Sequence, residues 1–471
     1  MKLAKNLLLN TDSYKVSMFK QYPAGTTGVY SYIESRGGVY DSTVFFGLQA
    51  FIKEYMLDPI TQADIDVADE ILTAHGEPFN RAGWQYILDQ HKGFLPLVIR
   101  AVPEGTVVPV KNVLATIENT DPKCFWLTTY LETALLRAVW YPTTVATQSK
   151  SIKNVISEYL DRTGDINGLS FKLHDFGARG VSSLESAGLG GAAHLVNFMG
   201  SDTLSGVMYA REYYSAGIAG FSIPAAEHST ITSWGRDNEV DAYRNMLRQF
   251  GREGSILAVV SDSYDVFNAA SKLWGEELKE EVIASGATVV IRPDSGDPET
   301  VCFKLVQILG EKFGYTTNDK GYKVLNNVRL IQGDGVNERT IRNILGRFQA
   351  FGWSADNIAF GMGGALLQIV DRDTQKFAMK CSAMRRVSDF GDELWIDVQK
   401  DPITDPGKKS KAGRVTLWTN SGGEFVSGVT PPTGWSDKGI GGWTDALVEV
   451  FRDGKLVKEI TFEEVRANSN K

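Results

Sequence analysis

Cysteine and histidine are scarce in this chain, three and five among 471 residues. Cys124, Cys302 and Cys381 lie far apart and form no CxxC pair. They are expected to be reduced core residues of a cytosolic protein, not a disulfide framework. There is no HExxH and no clustered His/Cys triad, which argues against zinc and non-haem iron sites. A GxSxG elbow and a GxxxxGK[ST] phosphate loop are also missing. The GLGG run at 188–191 sits inside a helical stretch, not after a strand, so it is no dinucleotide fingerprint. No apolar run is long enough to span a membrane. The start, MKLAKNLLLNTDSYKV, has too short an apolar run for a signal peptide and no small-residue cleavage site. A basic excess is absent as well. The net charge of −8 argues against a general polyanion binder, so any phosphate site must be built from a few aimed groups.

What remains is an ordinary globular composition, with 43% hydrophobic and 23% charged residues. The length allows roughly three domain-sized units, or one large α/β barrel with an accessory domain. No repeat or low-complexity segment occurs. Residues 99–117 read as strands broken by Pro-Glu-Gly and by a Lys111-Asn112 turn. FFGLQAFIKEYML and CFWLTTYLETALLRAV have helical apolar spacing, and a long helix is expected near 144–162. From Ser170 one pattern recurs: an apolar run, a polar or glycine-rich turn, then usually an amphipathic helix. The runs are FKLHDFGARG, NFMGSDT, GFSIPAAEHST, ILAVVSDSYD, VVIRPDSGDP, VRLIQGDGV, IAFGMGG and FAMKCS. About eight such units would close a (β/α) barrel, with NFMGSDT the least strand-like. After 384 short antiparallel strands follow, with a hairpin turn at Asp453-Gly454. The expected division is 1–150 as an α+β domain, 151–383 as the barrel, and 384–471 as a β-rich segment packing with the first.

In a barrel the turns after the strands share one face. Arg179, Asp202, His228, Asp262, Arg292, Asp294, Asp334 and Lys380 would converge there. GMGGALLQ offers bare backbone amides at a helix start, suited to phosphate, and equally to a plain strand end. Arg372 and Lys380 could clamp further phosphate oxygens. Asp334, between glycines, suits ribose hydroxyls or a plain turn. Asp262 and Asp294 could hold Mg²⁺ through water, or simply cap the helices that follow. His228 precedes a helix that Ser229 or Thr230 could cap. His174 reads as a buried, hydrogen-bonded histidine, and Asp297 as a solvated residue.

These motifs, with TDSYKVSMFKQYP, NTDPKCFWLT, YPTTVAT, AAHLVNFMGSDT and DPITDPGKKSKAGR in the same order, resemble the nicotinamide phosphoribosyltransferase family over nearly the whole chain. The resemblance implies an irregular (β/α) barrel of the type II phosphoribosyltransferases, plus an α+β domain formed by both chain ends. It implies a homodimer with active sites at the interface. It implies transfer of phosphoribosyl from phosphoribosyl pyrophosphate to nicotinamide, with Mg²⁺ as cofactor and ATP as a coupling substrate. Phe176 and a partner chain's Tyr14 would sandwich the pyridine ring. Arg179 and Arg292 would contact phosphate and the carboxamide side. Asp294, Gly333, Asp334, Gly363 and Gly364 would hold the ribose and its 5′-phosphate. Arg372, Arg36, Lys380, Lys400 and Lys408 would form a basic wall for pyrophosphate and ATP. His228 would be the phosphorylated residue, and Asp202 the selector of the amide over the acid.

Ala178, Met362 and Ala378 depart from the family, which often has Tyr, Ser and Ser there, and the segment after SYIESR is short. The nearest rival is a nicotinate phosphoribosyltransferase, against which Asp202 speaks. A barrel that binds phosphorylated ligands without turnover, and an aldolase-type barrel, fit the residues less well.

Overall fold

Six short segments between 173 and 362, four of them β-branched or apolar runs, become parallel strands, because helices follow them and cover their outer faces. They are Leu173–Asp175, Gly200–Ser201, Ile256–Val260, Thr288–Arg292, Val328–Gln332 and Ile358–Met362. This computed structural model describes residues 6–388, 390–405, 408–432 and 442–471. Pro406 and Gly407 of the DPITDPGKKSKAGR motif lie outside them. The spatial order begins with the 200–201 strand, then 173–175, 358–362, 328–332, 288–292 and 256–260.

The sheet curls, and residues 221–226 join its two edges. Phe221 pairs in parallel with Gly200, and Ala225 pairs in parallel with Ala258. Four backbone bonds make this seam: Ser201 N to Phe221 O at 3.0 Å, Phe221 N to Met199 O at 2.7 Å, Ala226 N to Ala258 O at 2.9 Å, and Ala258 N to Pro224 O at 2.9 Å. The result is an irregular α/β barrel with fewer than eight strand positions. The run GFSIPAAEHST supplies bridges instead of a strand, and NFMGSDT supplies only two strand residues.

The eighth expected unit, FAMKCS, is not part of this barrel. It lies in the strand Phe377–Val387, which pairs antiparallel with Thr26–Ser35. The described chain forms two units: Met1–Thr147 with Glu212–Ala216 and Asp371–Lys471, and Gln148–Arg211 with Gly217–Val370. The change thus falls at 370/371, ahead of the boundary expected at 383/384, because the pairing partner of FAMKCS is near the N-terminus.

The first of these units is built on a seven-stranded sheet that includes Thr26–Ser35, Val113–Asn119, Leu97–Ala101 and Val448–Arg452. Its core includes Tyr32, Trp84, Leu97, Ile117, Leu135 and Phe451, all essentially without solvent contact. Asp453 and Gly454 both take positive φ, 47° and 82°, as a tight hairpin turn requires. The helix expected near 144–162 runs from Glu132 to Thr163. Cys124, Cys302 and Cys381 are free thiols. Among the described residues no helix is long and apolar enough to cross a membrane.

Candidate functional site

The carboxyl ends of parallel strands carry backbone ends and turns free of sheet pairing, so polar side chains gather there. In this barrel the strands end at Asp175, Ser201, Val260, Arg292, Gln332 and Met362. Within four residues of those ends stand Phe176 and Arg179, Asp202, Asp262, Asp294, Gly333 and Asp334, and Gly363 and Gly364. Arg292 is itself a strand's last residue.

Three side chains from separate turns meet closely. His228 Nε2 is 3.6 Å from Asp262 Oδ1 and 3.5 Å from Asp294 Oδ2. Its Nδ1 is 3.3 Å from the Ser263 hydroxyl. Asp262 Oδ2 accepts the Asp294 amide at 3.0 Å and the Ser295 hydroxyl. Its Oδ1 is buried with no hydrogen-bond partner among the described residues. Neither aspartate caps a helix. Asp265 accepts the amides of Phe267 and Asn268, and Asp297 accepts that of Thr300 at 2.8 Å. Asp297, read as a solvated residue, is therefore the N-cap of Pro298–Phe313. This leaves Asp262 and Asp294 available to the site. At His228 the cap is Glu227, not Ser229 or Thr230, and Thr230 reaches back to it.

The barrel encloses a cavity of about 370 Å³. Phe176, Asp202, Ser222 and Arg292 line it at the rim side, and Lys172, Arg329 and Asp356 line it beyond. The Ser222 hydroxyl donates to Asp202 Oδ1. The Arg292 Nε is buried without a partner among the described residues. Phe176 lies so close to Gly361 that a Cβ there would sit 1.9 Å from the ring. His174 also lines the cavity; its Nε2 is 3.0 Å from the Phe171 carbonyl, and burial lowers its pKa. Lys172 went unnoticed in the sequence. Burial pushes its ammonium down to about 8, and it donates to the carbonyls of Ala355, Asp356 and Ile358 at 3.0–3.1 Å.

Arg179, Asp202 and Asp334 are solvent-exposed. Met362 is buried, so the donors of the FGMGG turn are the amides of Gly363 and Gly364, at a helix of only four residues.

The cations expected as a basic wall, Arg36, Arg372, Lys380, Lys400 and Lys408, belong to the other unit. Lys380 is depressed by burial, partly restored by Glu132, and lowered further by Arg36, Lys15 and Lys400. These groups therefore form one basic cluster. Lys15 is buried and paired with Glu132 at 2.7 Å. Arg36 Nε is 3.2 Å from Glu34, which also holds Lys411, while one terminal Arg36 nitrogen is buried without a hydrogen-bond partner among the described residues. Lys15, Lys411, Glu34 and Glu132 stand inside quoted motifs or segments but were assigned no role there. Lys408 pairs locally with Asp405 at 3.3 Å and Arg372 with Asp373 at 3.0 Å; both are exposed. Tyr14 is exposed, with Lys15 Nζ 5.0 Å from its ring centre.

One His/Asp/Cys group also forms, at His91, Asp121 and Cys124. It is already satisfied: Asp121 accepts from His91, Tyr86 and the Lys123 amide, and burial pushes the Cys124 thiol up to about 12. It reads as a capped turn.

Residues 171–453 match the family model described as the nicotinate phosphoribosyltransferase (NAPRTase) family. Residues 6–99 match the nicotinamide phosphoribosyltransferase N-terminal domain. A nicotinamide phosphoribosyltransferase of Xanthomonas campestris is 60% identical over 472 residues, covering 99% of this chain and 98% of that one. One from Acinetobacter baylyi is 32% identical over 501 residues, covering 98% and 96%. Among solved structures, a nicotinate-nucleotide pyrophosphorylase from Pyrococcus furiosus aligns with a TM-score of 0.63 at 15% identity, covering 100% of this chain and 97% of that one. Human nicotinic acid phosphoribosyltransferase aligns at 0.54 and 16%, covering 98% and 92%. At such identities the structures speak to the fold alone, the mixed α/β fold with a curled parallel sheet.

Proposed function

Because the chain belongs to the nicotinamide phosphoribosyltransferase family, we propose that it joins nicotinamide to phosphoribosyl pyrophosphate, giving nicotinamide mononucleotide and pyrophosphate in NAD salvage. It is a pentosyltransferase. The observation that carries the substrate reading is Asp202, on the lining of the barrel cavity with Phe176 and Arg292. A carboxylate accepts hydrogen bonds from a carboxamide NH₂ and repels a carboxylate, a like-charge penalty on the order of several kcal/mol.

The ring nitrogen attacks the anomeric carbon as the bond to pyrophosphate breaks and its electron pair departs with the leaving group. Positive charge grows on the sugar. The carboxylates of Asp294 and Asp334 favour that charge, while cations stabilise the departing oxygens. The nitrogen has no proton to lose, so no general base is needed. Phe176 offers a flat face for the ring. The cluster of Lys15, Arg36, Lys380 and Lys400 is assigned to polyphosphate, and Arg372 and Lys408 are assigned there by resemblance only.

His228 is proposed to take a phosphoryl group from ATP. Its Nε2 would bond to the γ-phosphorus as the bond to the ADP oxygen breaks. A phosphate arriving at Nε2 meets Asp262 and Asp294 at about the same distance, and two anions there call for a divalent cation. Asp262 Oδ1, buried and without a hydrogen bond among the described residues, and the nearby Asp294 Oδ2 are hard oxygens that fit a hydrated Mg²⁺. When bound, Mg²⁺ neutralises phosphate charge. A homodimer, with Tyr14 supplied by the second copy, is part of this proposal.

The test is direct. The protein is incubated with phosphoribosyl pyrophosphate, Mg²⁺ and either base, and the mononucleotide is measured. Nicotinamide is expected to react and nicotinate hardly at all. Asp202→Ser is expected to lower that preference by at least about a hundredfold. No product with nicotinamide, or an unchanged preference in Asp202→Ser, would overturn the reading.

A further inference from the structure

Asp175 is a carboxyl group that the proposed mechanism does not use, yet it is wholly buried beneath the site. It ends the strand Leu173–Asp175 and directly precedes Phe176. Its Oδ1 accepts the Gly177 amide at 2.7 Å, which folds the turn carrying Phe176. Its carbonyl accepts the Asp202 amide at 2.9 Å. Among the described residues its Oδ2 has no well-formed hydrogen bond, and neither has the fully buried Thr203 hydroxyl beside it. Gly191 leaves the space for this contact: a Cβ there would stand 3.4 Å from Oδ2 and 3.0 Å from the Thr203 methyl.

A buried carboxyl costs free energy unless its surroundings compensate it. Here burial, and the nearby Asp202 charge, push its pKa up to about 6, against the Gly177 amide and the Thr203 hydroxyl. An apolar residue would pack into this place more cheaply. The groups that do hold the carboxyl belong to the two turns that present Phe176 and Asp202. A side chain that grips one turn at Gly177 and abuts the other at Thr203 sets the spacing between them.

We propose that Asp175 is a positioning residue for base recognition: its buried carboxyl links the Phe176 turn to the Asp202–Thr203 turn and so fixes the slot for the pyridine ring. This rests on the reading above that Phe176 and Asp202 hold the base. The link is expected to act on the base first, since Lys15, Arg36, Lys380 and Lys400 lie on neither turn.

The experiment compares Asp175→Asn, Asp175→Ala and Thr203→Val with the unsubstituted protein, by steady-state kinetics and by amide hydrogen exchange. Asn keeps an acceptor for Gly177 and gains a donor toward the Thr203 hydroxyl. Asp175→Ala is expected to raise KM for nicotinamide about tenfold, the loss of roughly one hydrogen bond to a charged group. The KM for phosphoribosyl pyrophosphate should stay within about twofold, and Asn should restore most of the loss. Exchange at the Gly177 and Asp202 amides should quicken together in Asp175→Ala and not in Asp175→Asn. Thr203→Val, milder for folding, should raise the nicotinamide KM in the same selective way. An unchanged nicotinamide KM in Ala and Val, an equal rise in both KM values, or exchange that quickens at Gly177 alone would overturn the proposal. If the unsubstituted protein makes no product from nicotinamide, the function reading fails, and the exchange data still decide whether Asp175 links the two turns.

Discussion

Asp262 holds Asp294 by its backbone: the Asp262 carboxylate accepts the Asp294 amide at 3.0 Å while both carboxylates face the same imidazole. One residue thus shapes the turn that delivers the other.

That arrangement separates two substitutions. Asp262→Ala strips the turn of an acceptor for the Asp294 amide and the Ser295 hydroxyl, and should cost about 2–4 kcal/mol of stability. Asp262→Asn can still accept both through its amide oxygen, but it places an NH₂ toward His228. It should keep most of the stability and lose on the order of a hundredfold in kcat/KM for phosphoribosyl pyrophosphate. Denaturant unfolding and steady-state rates, measured on both variants, check this.

Gly361→Ala tests the seat of the Phe176 ring. A methyl group 1.9 Å from the ring cannot be tolerated without movement. The ring should turn out of place, at a cost of about 1–3 kcal/mol in stability. KM for the base should rise more than KM for phosphoribosyl pyrophosphate, and a titration with nicotinamide followed by calorimetry would show the weakened binding.

Glu104 gives a pH dependence whose sign is set by burial. It accepts the amides of Gly47 and Gln49 at 2.8 and 2.6 Å and the Tyr214 hydroxyl at 2.7 Å, capping the helix Leu48–Tyr55 from another part of its unit. Burial nonetheless raises its pKa above 4.5. Its contribution is therefore full below pH 4.5 and declines as pH rises through the folded value. Asp175 acts in the same direction between 3.8 and about 6. Unfolding curves taken from pH 4 to 8 should show a smaller decline in Glu104→Gln, with the Asp175 part remaining. Glu104→Ala, which leaves three donors without an acceptor, should lose about 3 kcal/mol or more.

Much of this architecture was legible along the chain because strand-turn-helix units are local. The turns after the strands could be named one by one. What could not be read was pairing across distance. FAMKCS has the apolar pattern of any strand, and only its partner at Thr26–Ser35 removes it from the barrel. The DSYD and DSGD turns each offer two aspartates a few residues apart. Local sequence does not say which one caps, and the structure gives the cap to the second in both. Lys15 was silent for another reason: its short 3-10 helix has no marked apolar face, and its neighbours Glu132 and Lys380 are remote in sequence. Asp175 was hidden behind His174, in a strand whose apolar run drew attention first.

The ring of strands is stitched shut at residues 221–226 by four backbone hydrogen bonds, two to each edge, in place of a strand. Ser222, which holds Asp202, lies on that stitch. The carboxylate proposed to choose the base is thus tethered to the closing segment of the ring, which forms bridges and no strand. A thinly bonded segment opens before a packed core, so selectivity for the amide is expected to erode with temperature before the fold itself gives way.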